Sequence, residues 1–188
     1  MASQIKVNEI IKQSGSSISI GESGDTINLA GSAYAVAANT PAFFVTLTAN
    51  QTVSDNVKTL VTWTNEVYDT NNAFDSNKFT VPSGQGGKYN FYISVTCGTS
   101  GSWGVINARA YIYKNGTSIY YFQGVKNEQG NDSFAVTGTL SLDLSAGDYI
   151  EVYGRNDNDS GTPYFLGKSG DSPNEERTWF GGYKLIGA

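Results

Sequence analysis

The sequence predicts an all-β protein, a two-sheet jelly-roll sandwich preceded by a short N-terminal β-type arm. Three observations carry this prediction. From Pro41 onward apolar and polar residues alternate almost continuously, with the two-residue period of strands and no helical period. Aromatic residues make up 13% of the chain, led by twelve Tyr, against 15% charged residues, which suits β-structure and argues against disorder. The 22 Gly, with many Asn, Ser and Thr, interrupt the alternation with frequent turns. Roughly eight to ten short strands fit this pattern. A chain of 188 residues is long enough for one full domain and an appendage, since a domain of this size buries about 70% of its unfolded surface.

Residues 1–38 form the expected arm. Ile5, Val7, Ile10 and Ile11 cluster ahead of a Ser/Gly turn, and Ile18 and Ile20 recur nine residues later as Ile27 and Leu29. Each of those pairs alternates with small polar residues, as in a hairpin or one step of a solenoid, and alone buries too little to be stable. Ile5, Val7, Ile10, Ile18, Ile20, Ile27 and Leu29 are therefore the expected attachment residues of an arm that docks on something larger.

The domain over residues 41–188 follows element by element. Phe43, Val45, Leu47 and Ala49 share one parity, and Val57, Val61 and Trp63 share another, leading to Val67-Tyr68-Asp69. A turn from Pro82 to Gly87 feeds a strand in which Tyr89, Phe91, Ile93 and Val95 share a face opposite Asn90, Ser94 and Thr96. Ala110 and Ile112 alternate with Tyr111 and Tyr113, Asn115-Gly116 marks a hairpin turn, and Ile119 starts the return strand. Phe134, Val136, Leu140, Leu142 and Leu144 read as a half-buried strand. Ala146-Gly147-Asp148 then turns into Tyr149-Ile150-Glu151-Val152-Tyr153, and Trp179 to Ile186 supplies the last strand.

Composition removes several classes of function. With no His, neither Ser-His nor Cys-His dyads nor the common zinc sites can be built. Carboxylate pairs such as Glu175-Glu176 and Asp69/Asp75 sit where acids solvate loops, so no enzyme is expected. The net charge of −5 and scattered basic residues argue against a nucleic-acid partner. No apolar run reaches the length of a membrane span or follows Met1 as a signal peptide would. The expectation is synthesis in a cytosol, no membrane insertion, and no use of the sequons at Asn50, Asn115 and Asn131. Cys97, the single cysteine, is expected to pack as a small apolar side chain.

The run Phe79-Thr80-Val81-Pro82, followed by Gly87-Lys88-Tyr89-Asn90-Phe91-Tyr92, resembles the signature segment of the C1q/tumour necrosis factor superfamily. Leu140-x-Leu142-x-Leu144-x-x-Gly147-Asp148 and the terminal Phe180-Gly181-Gly182-Tyr183-x-Leu185 extend the resemblance over about residues 41–188. It implies a C1q/TNF-like jelly roll that forms a homotrimer and binds rather than catalyses. The chain departs from the pattern in a longer loop between Phe79 and Gly87, in Ile93 at a position often aromatic, and in lacking a collagen-like stalk. The arm instead resembles short leaders of tailed-bacteriophage fibre and decoration proteins, in Ile5-Lys6-Val7-x-Glu9-Ile10 and Ser23-Gly24-Asp25-Thr26-Ile27. That implies a non-enzymatic virion structural protein made in a bacterial cytoplasm, either a capsid decoration or a short tail fibre. Other virion proteins would hold its arm, and distal loops would contact a host-surface glycan. The alternative is a free, lectin-like carbohydrate-binding protein of bacterial origin.

Tyr111, Tyr113, Tyr149 and Tyr153 lie opposite Ile112, Ile150 and Val152, so they are expected to face outward as a trimer interface. The other reading is scattered surface Tyr shielded by loops. Arg109 and Glu151 share those faces and form either an intersubunit ion pair or a solvated rim pair. Trp103, Tyr164 and Phe165 fall in Gly-, Ser- and Asn-rich connections, where they either present rings to a ligand or tuck under the loops. No cofactor is expected. Asn156 to Gly161 gathers oxygen ligands, with Asp157 and Asp159 the candidates for structural calcium, but lacks the spacing and distal Glu of an EF-hand.

Overall fold

The structure, a computed structural model, describes residues 39–101, 104–125, 133–169 and 172–185. All belong to one compact unit, Asn39–Ala188. The expected arm and its seven apolar attachment residues lie outside the described residues, as does Trp103.

No helix occurs among the described residues, and all the strands but one small hairpin divide between two facing sheets. The first begins with β1 (Ala42–Thr46), β2 (Gln51–Thr52) and β4 (Asn65–Asp69), and the second takes β3 (Thr59–Leu60), β5 (Phe74–Asp75) and β6 (Lys78–Thr80). Four long strands follow: β7 (Gly87–Thr99), β8 (Val105–Lys114), β9 (Thr117–Val125) and β10 (Ser133–Leu144). The chain ends through β11 (Tyr149–Asn158), β12 (Pro163–Phe165), the small hairpin β13 (Lys168–Ser169) and β14 (Ser172–Glu176), and β15 (Trp179–Lys184). The first sheet runs β2-β12-β7-β15-β1-β4 with β10 on the other side of β7, and the second runs β5-β6-β11-β8-β9 with β3 also on β11.

The alternation explains the layering. Tyr89, Phe91, Ile93, Val95 and Cys97 of β7 are fully buried between the sheets, facing Ala110 and Ile112 of β8 and Ile150 and Val152 of β11, also fully buried. Aromatic rings fill the centre: Phe43 lies 4.9 Å from both Phe79 and Phe180 and 5.1 Å from Phe74. Such pairs add about 0.5–1.5 kcal/mol each beyond the burial of their area. Cys97 is an inert core thiol, its pKa pushed up to about 12 by burial. The Asn115-Gly116 turn between β8 and β9 has the two left-handed residues, φ 52° and 77°, that a tight hairpin needs.

The second half of β7 is buried on both faces, so the Thr and Ser on its outer side need partners. Ser94 and Thr96 donate hydroxyl bonds to the Arg177 carbonyl at 3.1 and 2.9 Å. Thr178 accepts from the Thr96 amide and donates to the Leu166 carbonyl at 2.7 Å.

Three expectations need correction. The strand expected through Val57, Val61 and Trp63 is broken: Val61 is fully buried, but Val57 is 50% exposed. Asn56 takes a left-handed φ of 58°, turning the chain before β3, and the Gln51 side chain brackets the end of β3 through the Leu60 carbonyl and Thr62 amide. Tyr164 and Phe165 form strand β12 beside β7, and Asp157 lies within β11. The strands are also more numerous and more unequal than expected, because strands of two and three residues occur together with β7 and β10, of 13 and 12 residues.

Candidate functional site

Two sheet faces carry aromatic side chains that the core does not use. On the second sheet, Arg109, Tyr111 and Tyr113 of β8 and Tyr149, Glu151 and Tyr153 of β11 share the outer face, because their even-numbered neighbours are in the core. Tyr153 pairs with Tyr111 in register, and the Tyr113 and Tyr153 rings lie 4.2 Å apart. Cations and rings cover much of this face. Tyr111 is only 4% exposed, with Lys58 Nζ 4.5 Å from its ring centre and Tyr121 at 5.8 Å. Lys78 Nζ stands 4.9 Å from the Tyr149 ring centre, and the Arg109 guanidinium 5.9 Å from that of Tyr121.

Arg109 and Glu151 do not meet within the subunit: Arg109 pairs with Arg155 and Glu151 with Tyr113. The Tyr153 hydroxyl has its pKa raised by burial and then by the Glu151 charge.

The first sheet has a face that the sequence reading passed over. Phe44 of β1, Tyr68 of β4, Tyr92 of β7, and Trp179 and Tyr183 of β15 point away from the core. Tyr92 sits at the centre, 6.1 Å from Phe44, 6.0 Å from Trp179 and 6.5 Å from Tyr183. Its hydroxyl lies 3.2 Å from that of Tyr68, and its ring lies flat over Gly181, where a Cβ would meet it at 2.5 Å. Burial, first of all, and then the Tyr68 hydrogen bond push the Tyr92 pKa up. Among the described residues no cation sits over any of these five rings. The signal was the opposite parity of the core residues: Tyr92 follows Phe91, and Trp179 precedes Phe180.

The remaining sequence-derived candidates scatter. Phe165 is fully buried and meets the backbone at Gly154, so it is a core residue and not a loop ligand. Tyr164 packs over Gly98 and donates its hydroxyl to the Thr99 carbonyl at 3.0 Å. The Asx-rich segment is closed by an amide: Asn158 Nδ2 donates to the Ser160 and Gly161 carbonyls at 2.6 and 3.0 Å. Asp157 sits half-buried in β11 and Asp159 is exposed. No group of three or more potential metal-ligating side chains occurs among the described residues. No described helix is long and apolar enough to cross a membrane.

No family model and no curated protein matches the chain. Solved structures do. The globular domain of zebrafish complement 1qA superposes with a TM-score of 0.52 at 19% identity, covering 78% of this chain and 98% of that one. Murine APRIL gives 0.52 at 15% identity over 77% of this chain and 98% of its own, and Eiger TNF from S. frugiperda 0.52 at 14% over 78% and 93%. The fold is the C1q/TNF jelly roll. In C1q/TNF-like terms, the five-ring face lies on the sheet containing both chain-terminal described strands, and the cation-capped tyrosine face on the other.

Proposed function

We propose that this C1q/TNF-like protein is a non-enzymatic homotrimer that serves as a bacteriophage virion component, a capsid decoration or short fibre. The observation that carries the oligomer is the five-ring face centred on Tyr92, contiguous and free of capping cations among the described residues, which a second and third copy of the chain would cover. The tyrosine face of β8 and β11 is the weaker candidate for that contact, since Lys58 and Lys78 already occupy two of its rings. The virion setting is supported by the resemblance of residues 1–38 to phage leaders, with Ile5, Val7, Ile10, Ile18, Ile20, Ile27 and Leu29 as the side chains that would add to a neighbouring virion protein. Such a protein would be made in the bacterial cytoplasm and reside in the particle.

Three symmetric copies would multiply weak contacts between the distal loops and a host-surface glycan. The free-lectin reading draws less support, because Phe165 is in the core and the Tyr164 hydroxyl is engaged by Thr99. Deleting residues 1–38 tests the assignment. The expected product is a soluble trimer that no longer joins particles, and full-occupancy decoration by the truncated protein would refute attachment through the arm.

A further inference from the structure

The two sheets part at the edge where β4 meets the β5–β6 hairpin, leaving a cavity of about 340 Å³. Its floor is Val45, Trp63 and Phe74, and every other lining residue carries a hydroxyl, amide or carboxylate. Two irregularities build it. Val67 is skipped in the β1–β4 register, so Glu66 pairs with the fully inward Val45 and projects on the core side of an edge strand. Across the opening, Ser76 and Asn77 form a left-handed turn (φ 51° and 65°), and the Asn77 side-chain oxygen accepts the Trp63 backbone amide at 2.9 Å. That bond holds the Trp63 backbone beside the turn, and its indole packs 5.9 Å from Phe180. The indole Nε1–H itself is buried and has no acceptor among the described residues.

We propose that this cleft is a binding site for a neutral pyranose. An aromatic and aliphatic floor matches the C–H face of a sugar ring, and a rim of mixed acceptors and donors matches its hydroxyls. The volume falls within the range of about 300–1,000 Å³ typical of small-molecule sites. A sugar hydroxyl supplies the acceptor that the Trp63 indole lacks. Because that N–H is covered in this structure, engagement requires the ring to turn. The site is separate from the five-ring face and stands independently of the virion reading.

Glu66 also has a purely structural explanation, since an inward-pointing charge on an edge strand deters pairing with another chain. The two roles separate experimentally. The full-length, isotope-labelled protein is titrated with the methyl glycosides of glucose, galactose, mannose and N-acetylglucosamine, while the Trp63 indole N–H resonance is followed, assigned by its loss in Trp63→Phe. At least one glycoside should shift that resonance saturably. Trp63→Phe, which keeps the ring and removes the donor, should weaken binding about tenfold, and Glu66→Gln should weaken it similarly with an unchanged melting temperature. Glu66 is exposed, so the second variant tests the site even if the first unfolds. Failure of all four glycosides at millimolar concentration, unchanged affinity in Glu66→Gln, or a response only to glucosamine at about pH 6, where its amine is charged, would each overturn the proposal.

Discussion

Replacing Tyr92 by Asp places a carboxylate at the centre of the five-ring face. Within one subunit the loss is moderate. Tyr92 contacts Phe44, Trp179 and Tyr183 at 6.0–6.5 Å, but all four rings are half-exposed in the isolated chain. Three such contacts at the low end of the aromatic range amount to about 1.5 kcal/mol. Association is where the change multiplies, because a closed trimer buries three copies of every interface residue. An unpaired polar group taken out of water costs at least about 2 kcal/mol, so three cost about 6 kcal/mol per trimer, or roughly 10⁴ in the three-body constant. Subunit concentration enters that constant squared, so the concentration at half-assembly should rise about a hundredfold. Light scattering and sedimentation across that range are the assay, with wild type expected at about three times the chain mass. Tyr149→Asp, on the opposite sheet, is the control and should assemble normally. If Tyr149→Asp dissociates while Tyr92→Asp stays trimeric, the face is misassigned. A wild-type monomer at micromolar concentration removes the trimer altogether.

Two further predictions follow from placement and charge. Phe165→Ala should lower stability by about 3–5 kcal/mol in thermal or denaturant melts, as for a core Phe, whereas Tyr164→Ala, losing one hydrogen bond and part of a ring contact, should cost about 1–2 kcal/mol. Equal costs would refute the core assignment of Phe165. Asp148 accepts from Lys114 at 2.8 Å, from Asn115 at 2.7 Å and from the Ser145 amide at 2.9 Å, which holds its carboxyl down to about 2. Its folded pKa lies below its unfolded one, so its contribution is complete above about pH 4 and is lost as pH falls toward 2. Discounted for its partly wet surroundings, that contribution is about 1 kcal/mol. Asp148→Asn should therefore lower stability at neutral pH and flatten its dependence between pH 4 and 2, and an unchanged acid slope would refute the linkage.

Much of the fold was legible because period-two alternation survives wherever a strand has one dry face. Tyr89, Phe91, Ile93, Val95, Ile112, Ile150 and Val152 are all core, as parity demands. Where a strand is buried on both faces or lies at an edge, the signal fails for physical reasons. Ser94 and Thr96 look solvent-facing but are buried, and both hydroxyls are satisfied by the Arg177 carbonyl, far away in sequence. Val57 carries the right parity but follows a left-handed Asn56, and a single such turn resets the register. The Gly-rich context of Phe165 reads as a loop, although Gly154 is there to admit the ring, since a Cβ would meet it at 2.3 Å. A glycine opposite an aromatic ring is invisible without knowing which strands are neighbours.

The candidate interface was harder to read than the core for a related reason. Tyrosines on both sheets alternate with apolar residues in the same way, so parity alone cannot say which set is left open to a partner. What separates them is the third dimension: Lys58 comes from the loop before β3 and Lys78 from β6, and each reaches a ring it does not neighbour in sequence. A cation over a ring gains about 0.5–2 kcal/mol, and docking another subunit there would have to displace or desolvate that charge. The five rings around Tyr92 carry no such cover among the described residues and rest on one another instead. Association there would exchange ring–water contact for ring–ring contact without stripping an ammonium of its shell, and on that difference the first sheet is preferred as the subunit contact.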